Sequence, residues 1–193
     1  MNDSSGSASA GSASAKRAER GQFTVRALGV DDAANYHALR LRSLREEPNA
    51  FEASADEEAK LTVEQVPAQF GFGGDDSDSF VLGALTDDGA LVGIAGCSRD
   101  SPPRRRHRAL LWGMYVVPDA RGHGIGRALV EETIARVRAW RDVELLRLGV
   151  IESNGTARSL YERCGFESVW REPQAYKTAD GYLAVELMRL RIQ

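Results

Sequence analysis

The stretch Arg121-Gly122-His123-Gly124-Ile125-Gly126-Arg127 carries the most readable chemistry in this sequence. Glycine at every second position clears side chains from a turn, and an amphipathic segment follows, so the glycines sit where a helix starts. A helix start has unpaired N–H groups and the positive end of the macrodipole. An anion can reach that backbone directly, and a phosphate is the natural guest. Arg121 and Arg127 add forked donors at the rim. The alternative for the same residues is a left-handed glycine turn that binds nothing. No G-x-x-x-x-G-K-[ST] occurs, which excludes the P-loop mode of phosphate binding.

Such a turn needs a strand before it and a helix after it. Leu110 to Val117 is too continuously apolar for a half-solvated strand, so it is expected to be central and to stop at Pro118. From Gly126 the apolar positions Leu129, Val130, Thr133, Ile134, Val137 and Trp140 form the stripe of a helix packed on a sheet. Glu144 to Ile151 is then a parallel-type strand, reached by a right-handed crossover. Ser153 or Asn154 caps a helix with Ala157, Leu160, Tyr161 and Cys164 inward, and Gly165 stops it. Phe166 to Trp170 and Tyr182 to Leu190 close the sheet.

Upstream, Gln22 to Leu28 alternates as a strand, and Asp31 or Asp32 caps a helix that turns Tyr36, Leu39, Leu41 and Leu44 inward. Its Arg40, Arg42, Arg45, Glu46 and Glu47 are expected on a solvated face. Pro48 to Phe51 is a turn, and Ser54 to Phe70 a weaker helical region broken near Pro67. Phe80 to Leu85 and Leu91 to Cys97 form a hairpin through Asp87-Asp88-Gly89. The fold class is α/β, a mixed twisted sheet with helices on both faces.

Arg121-x-x-Gly124-x-Gly126 after a strand ending Val116-Val117-Pro118, followed by Asn154-x-x-Ala157-x-x-Leu160-Tyr161-x-x-x-Gly165-Phe166, resembles the acetyl-CoA site of the GNAT superfamily of N-acetyltransferases. The likeness runs from Leu110 to Phe166 and, more loosely, over Val25 to Gly96. It implies a single-domain GNAT-like sheet whose central parallel strands splay to admit pantetheine. Met114, Tyr115 and Val116 would offer backbone groups to that arm, with an N–H near Val116 for the oxyanion, and Arg121, Gly122, His123, Gly124, Ile125, Gly126 and Arg127 would hold the pyrophosphate. Asn154 would contact the cofactor, although a helix cap accounts for it equally. By the same resemblance Tyr161 is the general acid facing the CoA sulfur; a packing tyrosine is the competing reading. Some protein-acetylating relatives carry a Glu base at the position matching Gly149, so that base is absent. Glu152 is the nearest substitute, Glu186 another, and a water chain would also suffice. The implied function is acetyl transfer from acetyl-CoA to a primary amine of a small molecule or of a protein or peptide. The alternative is a non-catalytic acyl-CoA-binding sensor. Nothing in the sequence signs the acceptor.

With 193 residues and 42% hydrophobic content the chain can bury one good core. Residues 1–20, rich in Ser, Ala and Gly, are expected to be a disordered tail, and residues 21–193 one domain. A net charge of −3 and a pI near 5.7 argue against nucleic-acid binding by bulk charge and leave only a local basic patch open, so no nucleic-acid partner is expected. There is no secretory h-region and no run of roughly 18 apolar residues, so no membrane partner is expected and the compartment is the cytoplasm. Cys97 and Cys164 read as small buried hydrophobes. No metal is expected, because the acidic loop Gly71 to Ser79 lacks an EF-hand's ligand order. Arg104 to Arg108 is either a lure for an acidic substrate or the cofactor's phosphates, or an exposed hairpin tip. Partners are thus acetyl-CoA and an amine, with a homodimer left open.

Overall fold

A computed structural model describes residues 23–72 and 78–192; the N-terminal tail and the middle of the acidic loop lie outside the described residues. The order of elements is β1 (Phe23–Ala27), α1 (Ala33–Glu46), α2 (Ala55–Glu58), α3 (Val66–Phe70), β2 (Ser79–Thr86), β3 (Leu91–Arg99), β4 (Arg108–Val116), α4 (Ile125–Ala139), β5 (Leu145–Ile151), α5 (Gly155–Arg163), β6 (Glu167–Thr178) and β7 (Gly181–Arg191). The strands form a seven-stranded mixed sheet in the order β1-β2-β3-β4-β5-β7-β6. Neighbours are antiparallel except β4 and β5.

Each face of the sheet has its own core because successive side chains of a strand point to opposite sides. Leu82, Ala95, Leu111 and Leu148 pack with Leu129, Val130 and Ile134 of α4 and with Tyr161 of α5. Val81, Ile94 and Tyr115 pack on the other face with Tyr36 and Leu39 of α1 and Val66 of α3.

Two irregularities shape β4. Its parallel register with β5 covers only Arg108↔Leu145 to Leu110↔Arg147, after which the two strands part. Against β3, Ile94 faces Tyr115 and Gly96 faces Trp112, so Gly113 and Met114 together oppose Ala95 in a bulge. Gly113 takes φ +63°, where a side chain would be strained.

Several expectations need correcting. Asp32 precedes α1 but makes no cap bond to it; its carboxylate accepts from Arg26 at 2.7 and 2.8 Å and from the Gly29 N–H at 2.9 Å. Arg40 is buried rather than solvated, at 5% exposure, because Glu58 of α2 pairs with it at 2.8 Å. Leu41 is only half-buried. Pro67 does not break a helix but stands in the first turn of α3, where no N–H is required. β6 runs on to Thr178, past the expected end at Trp170, by absorbing register slips at Ser168/Trp170 and at Glu172/Tyr176.

Candidate functional site

The parting of β4 from β5 opens a groove of about 780 Å³. Its walls are Met114, Tyr115 and Val116 of β4, the turn and first helical residues Arg121, Gly122 and Gly124 to Arg127, and Asn154, Leu160 and Tyr161 at α5. The segment after α1, through Phe51, closes the remaining side. Most of the residues singled out in the sequence therefore meet here, although they come from separate elements.

The glycines divide into two kinds. Gly122 and Gly124 have φ of +81° and +85° and nothing within 4 Å of where a Cβ would stand, so the turn is both left-handed and open. Gly126 is helical, and a Cβ there would lie 3.2 Å from Leu160 Cδ2 and 3.3 Å from Met114 Cε. It permits α4 to approach the groove walls, which differs from the expectation that all three glycines simply bare the backbone. The start of α4 still presents N–H groups without an intrahelical acceptor, as an anion site requires.

The charged and aromatic neighbours of the turn are more committed than the sequence suggested. Arg121 donates from Nε to the Val116 carbonyl at 2.9 Å and from Nη2 to Glu47 at 3.0 Å, so it clamps the end of β4 to the segment after α1. His123 folds its ring back, with Nδ1 2.9 Å from the Arg121 carbonyl, and is not part of the groove wall. Ile125 lines the groove but sends its side chain into the core, at 4% exposure. Arg127 is exposed and paired with Glu131 one turn on, at 2.7 Å. The Tyr115 hydroxyl donates to Glu46, and burial followed by that bond pushes its pKa up to about 12. Glu46 and Glu47 thus hold α1 against β4 while remaining on its solvated face.

Asn154 caps α5, its Oδ1 accepting the Ala157 N–H at 3.0 Å while it also lines the groove. Asn154→Ala is expected to lower unfolding free energy by roughly 1 kcal/mol through the lost cap, measured by urea denaturation. Tyr161 is 7% exposed, packs edge-on against Phe166 at 5.9 Å, and points its hydroxyl at Met114 Sδ, 3.5 Å away. Burial raises its pKa well above the ordinary phenol value, so it stays protonated throughout the working pH range.

The expected bases stand elsewhere. Glu152 is exposed, outside the groove wall, and held by Arg171 at 2.7 and 2.8 Å. That pairing holds its carboxyl below the usual range, which weakens it as a base. Glu186 is buried on the α5 side of β7, 3.3 Å from Arg158. A Cβ at Gly149 would meet Val185 and Leu187 on the other side of the sheet.

A second groove, about 530 Å³, went unread in the sequence. It runs between the segment from Pro48 to Asp56 and the β6–β7 hairpin at Tyr176, Lys177 and Leu183, and it shares Asn49 and Phe51 with the first. Its far wall is the part of β6 beyond Trp170. The arginine run, by contrast, takes no part in either groove. Arg106 pairs with Asp78 at 2.8 Å, and Arg108 and Arg147 share Asp100 at 2.9 Å each. It lies at the start of β4, roughly 30 Å of strand from the glycine turn, and the hairpin-tip reading accounts for it.

Among the described residues no group of three or more His, Cys, Asp or Glu side chains could hold a metal, and no helix is long and apolar enough to cross a membrane.

Comparison with known proteins agrees with this geometry. The model of the acetyltransferase (GNAT) family matches residues 23–166. The [ribosomal protein bS18]-alanine N-acetyltransferase of Escherichia coli K12 is 38% identical over 84 residues, covering 44% of this chain and 56% of its own length. The mycothiol acetyltransferase of Salinispora tropica is 31% identical over 145 residues, covering 74% of this chain and 44% of its own. The chain thus spans about half the length of the curated relatives it matches. In fold, a GNAT-family acetyltransferase from Streptococcus pneumoniae has a TM-score of 0.77 at 24% identity, covering 89% of this chain and 99% of that one. A phosphinothricin acetyltransferase from Sinorhizobium meliloti, in complex with acetyl-CoA, has a TM-score of 0.72 at 20% identity, covering 88% of each chain.

Proposed function

The chain belongs to the acetyltransferase (GNAT) family, and from that premise we propose that it transfers the acetyl group of acetyl-CoA to a primary amine of a small molecule or of a protein or peptide. One observation carries the reading: Tyr161 lines the groove opened by the splayed strands, with its hydroxyl aimed at the Met114 sulfur on the β4 bulge. Open space at Gly122 and Gly124 fits a pyrophosphate at the start of α4. The β4–β5 gap fits an extended arm, its thioester reaching the bulge.

Acetyl-CoA supplies the activated acyl group, and the protein supplies position and protons. A backbone N–H near Val116 faces the oxygen on which charge develops. Tyr161, kept neutral by burial, gives its proton to the departing thiolate. The second groove admits the amine from the side where Glu52 and Asp56 attract its ammonium form. Among the described residues Glu47 is the one carboxylate on the donor groove's wall, and it is tied to Arg121. With Glu152 equally tied to Arg171, water in the second groove takes the amine's proton.

Two free cysteines and a CoA-dependent reaction suit a cytoplasmic location. Thiol release from acetyl-CoA, measured against a panel of small amines and alanine-terminated peptides, tests the reading. Amine-dependent release is expected. Tight acetyl-CoA binding with no release for any amine would make the protein an acyl-CoA sensor instead.

A further inference from the structure

On the α1 side of the β4 bulge, two hydrogen-bonding atoms are buried without a partner, Arg40 Nη1 and the Tyr36 hydroxyl. The residues are one turn apart on α1 and only 5% and 1% exposed. Arg40 is otherwise fixed: its Nε and Nη2 hold the two oxygens of Glu58 at 2.9 and 2.8 Å. The Glu58 carbonyl in turn lies 3.1 Å from His37 Nε2. The remaining nitrogen is turned toward the bulge, 3.5 Å from where a Cβ on Gly113 would stand. Phe51, the half-buried residue shared by both grooves, covers the guanidinium with its ring at 4.8 Å. A purely structural pair could be replaced by packed apolar side chains at little cost, and a buried donor left unpaired is unfavourable. The arrangement is suited to an oxygen that arrives with a ligand.

We propose that Arg40, with Tyr36 beside it, receives a carboxylate of the acceptor, which makes the acceptor an α- or β-amino acid. This rests on the acetyltransferase reading above. The free N–H edge of Arg40 offers a charged donor to a planar carboxylate, which sets one negative charge beside Glu58 where a dianionic phosphate would set two. The short reach follows from Gly113, since the same bulge that faces the thioester borders the orphaned nitrogen. Amine and carboxylate must therefore lie within a few bonds of each other. Phe51 is the side chain that moves aside to admit them.

The test compares glycine, alanine, serine, aspartate and β-alanine with their carboxamides, in wild type and in the double variant Arg40→Met/Glu58→Met. The double change removes the ion pair as a unit, because Arg40→Met alone would strand a buried carboxylate. For at least one acid, wild-type kcat/KM is expected to exceed that of its amide by tenfold or more. In the double variant this ratio falls toward one through a rise in KM for the acid, while KM for acetyl-CoA is unchanged. If the double variant does not fold, Tyr36→Phe carries the test, with a KM increase of roughly threefold or more confined to the acid. Equal use of acids and amides by wild type, or a preference that survives in the variants, would overturn the proposal and leave the acetyltransferase reading standing. Thiol release with none of these acids or amides, but with another small amine or an alanine-terminated peptide, would overturn the proposal alone; release with no amine of the wider panel would overturn both.

Discussion

Tyr161→Phe is expected to bind acetyl-CoA as wild type does and to turn it over roughly 10²-fold more slowly, the loss expected for removing a general acid. The ring is locked by core contacts and by Phe166, so the variant keeps the groove wall and changes only the hydroxyl. In the free protein that hydroxyl meets only a thioether at 3.5 Å, a weak acceptor, so its removal costs little stability. Burial also places the phenol's titration above the accessible range, and kcat should show no descending limb from Tyr161 up to about pH 10. Because a CoA thiolate is a fair leaving group, the rate loss belongs at the low end of the range. A kcat within about twofold of wild type, with chemistry rate-limiting, would reduce Tyr161 to a packing residue.

Gly126→Glu should abolish binding, with affinity for acetyl-CoA falling at least about a hundredfold, or roughly 2.7 kcal/mol. A side chain there leaves the helix between Leu160 and Met114, which must give by a few tenths of an ångström, and continues into the groove. The new carboxylate meets the pyrophosphate's own charge. The fold survives, since a negative charge in the first turn of α4 is favourable to the helix. Calorimetry with acetyl-CoA, beside thermal unfolding of the ligand-free variant, separates the two effects; unchanged affinity would move the phosphate site away from α4.

The parts of the site that were legible in the sequence are those where one local pattern decides. The unbroken apolar run of β4 and the glycine turn placed the groove's floor and one end, and Asn154 acts as the cap its position suggested. Arg40 was hidden because it stands among other charges on α1, and its partner is 18 residues away in a four-residue helix with no usable period. The second groove was hidden by Glu172-Pro173-Gln174, a turn-like stretch that β6 absorbs as a bulge with Gln174 at φ +57°. Arg121 was assigned to the rim, but its clamp to Val116 and Glu47 depends on the end of α1 reaching β4, a contact between residues more than 70 positions apart.

The short seam between β4 and β5 has a further meaning for the protein's lifetime. Three residue pairs join the two halves of the sheet, and past Leu110 the facing backbone of the two strands is left unzipped. A ligand lying in that cleft works as a missing strand, so it ties the β1–β4 half to the β5–β7 half. Binding to the folded form alone adds about 2.7 kcal/mol at a hundred times Kd. Amide exchange along Met114 to Val116 and at Ile151 should therefore slow when ligand is added, and proteases should find fewer open molecules. With acetyl-CoA bound there as proposed, its supply would set how long each copy survives.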